Sequence, residues 1–388
     1  MTTTLRRFVL ALAIVLIVLS GVEVQAARVQ QRTRLRGGRT GTAAKPMRVV
    51  ATLPDYAALT KIVGGERVTV EHVVHGVQDP HRIRPKPSFI TMVKHADVLI
   101  ATGLDLEMWL PTVIDKSGNR RVRSGETGYV AVADGLELVE KPAIMSQSEG
   151  DVHVFGNPHI TTSPINAIQV ARNICVGLAK NDPDNKEYYE KNFDRLKTEI
   201  QNRLFGEELV KLLGGDTLCT LAAKGQVIKF LEDNKLQGKP LIDRLGGWMK
   251  KMMPLRGMPV VVYHKDWSYL MKLFGLEEAG DVEPKPGIPP SLKHVTELID
   301  LMKQRNIHLI IAANYFDEQK TRSIADKTGA KAAILPLFVG GVPGVDDYFQ
   351  LIDYWTDHLL EAAPESPGTV STRVGMIHYV RSAQERSR

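Results

Sequence analysis

The chain has 388 residues, 43% of them hydrophobic and 24% charged, enough to bury a substantial core and more than one domain usually holds. Its formal charge of +6 is unevenly spread: residues 1–47 hold eight Lys/Arg and one acid, a net +7, which leaves −1 for residues 48–388. A neutral body excludes the basic face of a nucleic-acid binder. Two cysteines, Cys175 and Cys219, exclude a disulfide-dense scaffold and a cysteine-type zinc site.

The first 27 residues read as a cleavable export signal: Arg6 and Arg7 precede an apolar run from Phe8 to Leu19, and Val24-Gln25-Ala26 follows as a cleavage pattern. A bilayer span needs about 20 residues, more than this run supplies, and no cysteine follows it to accept a lipid. The mature protein is therefore expected in the periplasm or another extracytoplasmic space. Residues 28–47 are a basic, polar tail of the kind that stays flexible.

Strand and helix patterns then alternate. RVVATL (48–53) and ERVTVEHVV (66–74) flank a helical DYAALTKIVGG; ADVLIAT (96–102) leads into a second helical stretch, and GYVAVA (128–133) follows. This is an α/β lobe with a parallel sheet, placed at 48–182. Helical sequence dominates from Ser163 to about Leu213, interrupted at Asp182-Pro183, and residues 183–213 are expected to form a linking helix. Residues 214–362 repeat the alternation through GMPVVVYH (257–264), NIHLIIAA (306–313) and AKAAILP (330–336), with a last helix from about Asp346 to Ala362. The fold class is thus α/β, with two pseudo-symmetric lobes joined by one long helix. Residues 363–388 lack an apolar period and read as a mobile extension.

Histidines His72, His75, His95, His294, His308 and His358 fall within or beside periodic segments, and His378 in the C-terminal extension, where packing or solvation explains them. His81, His153, His159 and His264 instead occupy loops or the carboxyl end of a strand, where open α/β sheets gather ligands. His81 is pinned among Pro80, Pro85 and Pro87; His159 follows Asn157-Pro158; His264 ends PVVVYH. These are three rigid platforms for imidazoles, and neutral imidazoles suit Zn²⁺. No HExxH-like local motif accompanies them.

The segments DPHRIRPKPS, ADVLIATGLDLEMWL, GDVHVFGNPHI, VVVYHKDWSYLMKLFGL, EPKPGIPPS and ILPLFVGGVPGVDDYF, in this order, resemble the TroA-type solute-binding proteins of zinc and manganese ABC importers. The resemblance spans about residues 48–362. It implies a metal ion in the cleft between two lobes, held by His81, His159 and His264, with delivery to a membrane ABC permease by a monomer that is not an enzyme. Histidine at the third position resembles the zinc branch, so Zn²⁺ is favoured and Mn²⁺ is the alternative. Relatives carry an acidic ligand after a late strand, whereas this chain has Leu335-Pro336 and Ala313-Asn314 at those places. Water, His153, Glu283, Asp317 or an acid of Asp346-Asp347 remain open for the fourth position. Asp79 reads as a group that orients His81. Glu149, Asp151 and His153 are a minimal version of an ion-gathering loop, and an ordinary solvated loop is the simpler reading. Two other classes fit three histidines on such a fold: a zinc hydrolase with an open fourth position, and a surface adhesin.

Overall fold

A computed structural model describes residues 45–141, 153–284 and 288–364. The expected signal segment, nearly all of the basic tail, Glu149 and Asp151, part of the 283–291 loop and nearly all of the C-terminal extension lie outside the described residues. Among those described, no helix is long and apolar enough to cross a membrane.

The first lobe is built on a four-stranded parallel sheet of β1 (Met47–Ala51), β2 (Val68–His72), β3 (Val98–Ala101) and β4 (Tyr129–Ala131), in the order β2-β1-β3-β4. Its central strands are apolar on both faces, as a sheet covered on both sides requires. Proline opens each of its helices within the first two positions: α1 (Pro54–Gly64), α2 (Pro87–Lys94), α3 (Leu110–Ser117) and α4 (Pro164–Asn181). There its fixed φ is preorganised and its missing N–H costs nothing. Helix α4 lies close on β4, because a Cβ on Gly177 would meet Val130 at 2.3 Å.

After a turn at Pro183–Asn185 the chain runs through α5 (Lys186–Phe205), the long helix between the lobes. Its sequence is strongly charged, so its stability rests on one buried stripe of Tyr189, Phe193, Leu196, Ile200 and Leu204 at helical spacing. It packs on α1 and α4. Gly206, at φ 86°, ends it, so Glu207–Leu213 forms a separate helix, α6. Short elements follow: α7 (Gly215–Ala223), α8 (Val227–Asp233), the hairpin β5 (Lys235–Leu236) and β6 (Lys239–Pro240), and α9 (Gly247–Met252), which docks against α5.

The second sheet holds β7 (Pro259–Val262), β8 (Glu277–Asp281), β9 (Leu309–Ala313) and β10 (Lys331–Leu335), all parallel, in the order β10-β9-β7-β8. Read from β8, this is the strand order of the first sheet, so the halves share topology without sequence identity. Helices α10 (Ser268–Phe274), α11 (Leu292–Gln304), α12 (Glu318–Thr328) and α13 (Tyr348–Ala362) cover it. Successive residues of β7 point to opposite faces: Val260 and Val262 enter the main core, while Val261 and Tyr263 enter a smaller cluster with Ile310, Leu298 and Met302. The main core runs without a break from β1 and β3 through α4 and α5 to β7, β9 and α13.

Candidate metal centre

In each sheet the chain leaves its first strand to one side and returns for the third on the other, and ligands of open α/β sheets collect outside the carboxyl ends at such a switch point. The sites of interest lie in loops that follow those ends.

His81 sits on a one-turn 3₁₀ segment, Pro80–Arg82, whose first N–H groups need acceptors. Asp79 Oδ1 takes both the His81 backbone N–H, at 2.9 Å, and the ring Nδ1, at 2.7 Å. Trp109 Nε1 donates to Pro80 O at 2.9 Å and fixes the loop to the lobe. His153 is held by Asp105, which accepts from its Nδ1 at 3.1 Å and from Val154 N–H at 2.8 Å.

His159 repeats the Asp79 arrangement with an amide. Asn157 Oδ1 lies 2.9 Å from both the backbone N and the ring Nδ1 of His159. The Nδ2 of Asn157 donates to Lys265 O at 2.6 Å, and Tyr269 OH donates to Asn157 O at 2.6 Å. One asparagine therefore orients an imidazole and ties its loop to the second lobe. His264 follows β7 in extended backbone, and its Nδ1 is buried without a hydrogen bond.

These four imidazoles meet. One nitrogen from each of His81, His153, His159 and His264 lies within 4.8 Å of every other, and they are the one such group among the described residues. Nε2 of His81 and Nε2 of His153 are 3.2 Å apart. Donors about 2.0–2.1 Å from a tetrahedral zinc ion stand about 3.3 Å from each other, so that pair already has the spacing of two ligands of one ion. Because Asp79, Asp105 and Asn157 occupy three Nδ1 positions as acceptors, each of those rings carries its proton there and turns the Nε2 lone pair inward.

The electrostatics agree with neutral rings in the deep half. Burial, reinforced by the neighbouring imidazoles, pushes His159 well below the usual histidine range and His264 down to about 3. Burial opposes ionisation of Asp79 and Asp105, yet the hydrogen bonds and charge of His81 and His153 hold both carboxyls below the carboxylate range. Asp266, fully buried beside this group, is pushed well above it by burial and by the charge of Asp79.

His81, His159 and His264, singled out in the sequence, thus share one pocket. His153 joins them: its side chain is 12% exposed and paired, unlike that of an ordinary solvated loop. Of the other candidates for the fourth position, Glu283 is buried but is not among the donors that meet in the cluster, and the acids that follow lie elsewhere. Asp317 caps α12 through Lys320 N–H, Asp347 caps α13 in a box with Gln350, and Asp346 is exposed. Asn314 turns its amide to Gly341 O. Asp105, inside GLDLE, carried no sequence signal beyond a strand end. Its acceptor role appears only once the distant His153 is folded against it.

Two like-ordered α/β lobes bridged by one helix, with loops from both converging on a histidine cluster, are the architecture of a two-lobed solute-binding protein. The chain belongs to the family described as ZnuA, zinc-uptake complex component A, periplasmic, whose model matches residues 49–203 and 231–362. It is 25% identical over 334 residues to the high-affinity zinc uptake system protein ZnuA of Bacillus subtilis, covering 81% of this chain and 88% of that one. Over 156 residues it is 30% identical to the manganese ABC transporter substrate-binding lipoprotein PsaA of Streptococcus pneumoniae, covering 40% and 48%. Among solved structures it resembles a zinc-bound ZnuA deletion mutant, with a TM-score of 0.59, 21% identity and coverage of 83% and 100%. A manganese-bound periplasmic metal-binding protein of Candidatus Liberibacter asiaticus gives 0.57, 17%, and coverage of 81% and 98%.

Proposed function

We propose that this chain is the extracytoplasmic solute-binding component of a metal ABC importer, which captures Zn²⁺ through His81, His153, His159 and His264 and hands it to a membrane permease. The observation that carries this reading is the convergence of four imidazole nitrogens within 4.8 Å from three separated loops. A cluster of imidazoles of which three have Nδ1 occupied and turn Nε2 towards the others has few other uses.

The residues divide the work. Asp79, Asp105 and Asn157 keep three rings in the tautomer that offers Nε2, so the ion meets lone pairs rather than N–H groups. Burial keeps His159 and His264 neutral, so few protons must leave when the ion enters. Nitrogen donors favour zinc over manganese, whose preference runs to carboxylate and water oxygen. With loops of both lobes contributing, binding draws the lobes together, and the continuous core beneath limits that motion to a small rocking. Four protein donors fill a tetrahedron and leave no position for an attacking water, which speaks against the hydrolase reading.

The test is a zinc titration against a competing chromophore, with metal content measured on the same samples. The wild-type chain binds one ion, and His159→Ala loses affinity by orders of magnitude while keeping its circular dichroism. Equal affinity in the two proteins would remove His159 from the site and the proposal with it.

A further inference from the structure

Glu140 stands at φ 55°, a left-handed backbone that a residue other than glycine keeps only where its surroundings hold it. Its turn is pinned to the loop of His159: Asn157 N–H donates to Val139 O at 2.9 Å, and a Cβ on Gly156 would meet Leu138 Cβ at 2.8 Å. The Glu140 side chain is thereby laid against Asn157. Its Oε2 accepts from Asn157 Nδ2 at 2.8 Å, while Oε1 lies 3.0 Å from Ser268 Oγ and 3.9 Å from Lys265 Nζ, both on the second lobe. One carboxylate of the first lobe thus touches the second lobe and the amide that orients His159.

That amide has two N–H hydrogens to place. Glu140 Oε2 and Lys265 O take them at 2.8 Å and 2.6 Å, with Ser268 Oγ farther off at 3.4 Å. An ionised carboxylate and a carbonyl oxygen only accept. Turning the amide over would set its oxygen against both of them and its N–H₂ against the His159 backbone N–H. The two acceptors therefore fix Oδ1 towards His159 and, through it, the ring proton on Nδ1. They are not equivalent, however. Lys265 O belongs to the second lobe and withdraws when the lobes rock apart to admit an ion, whereas Glu140 belongs to the first lobe and stays with Asn157.

We propose that Glu140 is a positioning residue for metal capture: by accepting from Asn157 Nδ2 it keeps the His159 lone pair aimed at the place of the ion, with the lobes apart as well as together. It touches no metal itself. This rests on the metal-capture reading above and extends it to a residue outside the imidazole cluster and outside the groups that bond the rings directly.

Glu140→Gly removes the carboxylate and suits the left-handed backbone, so this variant is expected to fold. Glu140→Gln keeps an oxygen for Asn157 and can turn its N–H₂ to Ser268 Oγ. Nitrogen NMR spectra of the histidine rings in metal-free protein show which nitrogen of His159 is protonated, and competition with a zinc chromophore gives the affinity. The wild-type chain is expected to carry the proton on Nδ1. The glycine variant should show a share of rings protonated on Nε2 and bind zinc about tenfold more weakly, and the glutamine variant should restore both. A glycine variant with the wild-type ring state or the wild-type affinity would overturn the proposal, and so would a glutamine variant as impaired as the glycine one. Should Glu140→Gly fail to fold, Glu140→Asp takes its place with the same expected and contrary results, because aspartate tolerates this backbone and withdraws the carboxylate by one methylene. If the wild-type chain takes up no zinc, the capture reading itself fails, while the ring spectra still decide whether Glu140 orients His159.

Discussion

Asn157 concentrates several tasks in one side chain. Its Oδ1 serves two donors of His159, and its Nδ2 reaches the second lobe at Lys265 O. Asn157→Ala leaves the imidazole free to rotate or to change tautomer, and groups that orient a metal-binding histidine typically contribute 10–100-fold in affinity. Competition with a zinc chromophore should therefore show a loss of about that size; unchanged affinity would mean that packing alone holds the ring. The residue scale is also where the sequence was most and least informative. His81, His159 and His264 could be singled out because prolines or a strand end made their positions rigid. His153 was undervalued because polar neighbours make a loop look solvated, and a helix-opening acid such as Asp266 in KDW resembles any acid in a first turn. Depth and proximity distinguish those residues, and both arise only on folding.

Among the elements, the apolar runs of β1, β3, β7 and β9 stand out in the sequence. Strand β8, Glu277–Asp281, does not: EEAGD has neither apolar alternation nor β-branched residues, and it is strand only because β7 offers it a paired edge. The helix expected over 183–213 is broken by Gly206, a residue whose positive φ a periodicity argument cannot foresee.

A second contact between elements is open to titration. At the start of α1, Asp55 accepts from Thr161 Oγ1 at 2.7 Å and from Val339 N–H at 2.9 Å, joining both halves of the molecule. Burial raises its carboxyl to about 7 against those two hydrogen bonds. A folded-state value above the unfolded one gives stability that is full below the unfolded value near 4 and fades as pH rises through about 7. The depressed His264 acts oppositely, losing stability as pH falls from about 6.5 towards about 3. Asp55→Asn removes only the first slope. Urea unfolding of metal-free protein should thus show the variant gaining on the wild type between pH 5 and pH 7.5, and parallel profiles would contradict this account. Asp55→Ala strands the Val339 N–H and should cost about 1–3 kcal/mol at either pH.

At the scale of the whole molecule, two sheets of the same strand order are set on one continuous core, and the imidazoles come from positions as remote in sequence as 81 and 264. The alternation of patterns made the two-lobed α/β architecture legible, since buried parallel strands must be apolar and their crossovers helical. Convergence of the loops is a property of the folded chain, set by lobe packing that no local pattern encodes. Crystals of zinc-loaded protein, with anomalous differences recorded on both sides of the zinc edge, test that convergence most directly. One peak is expected, bound by nitrogens of His81, His153, His159 and His264 at about 2.0–2.1 Å from each. A peak elsewhere on the molecule, or rings turned away from a shared ion, would contradict it.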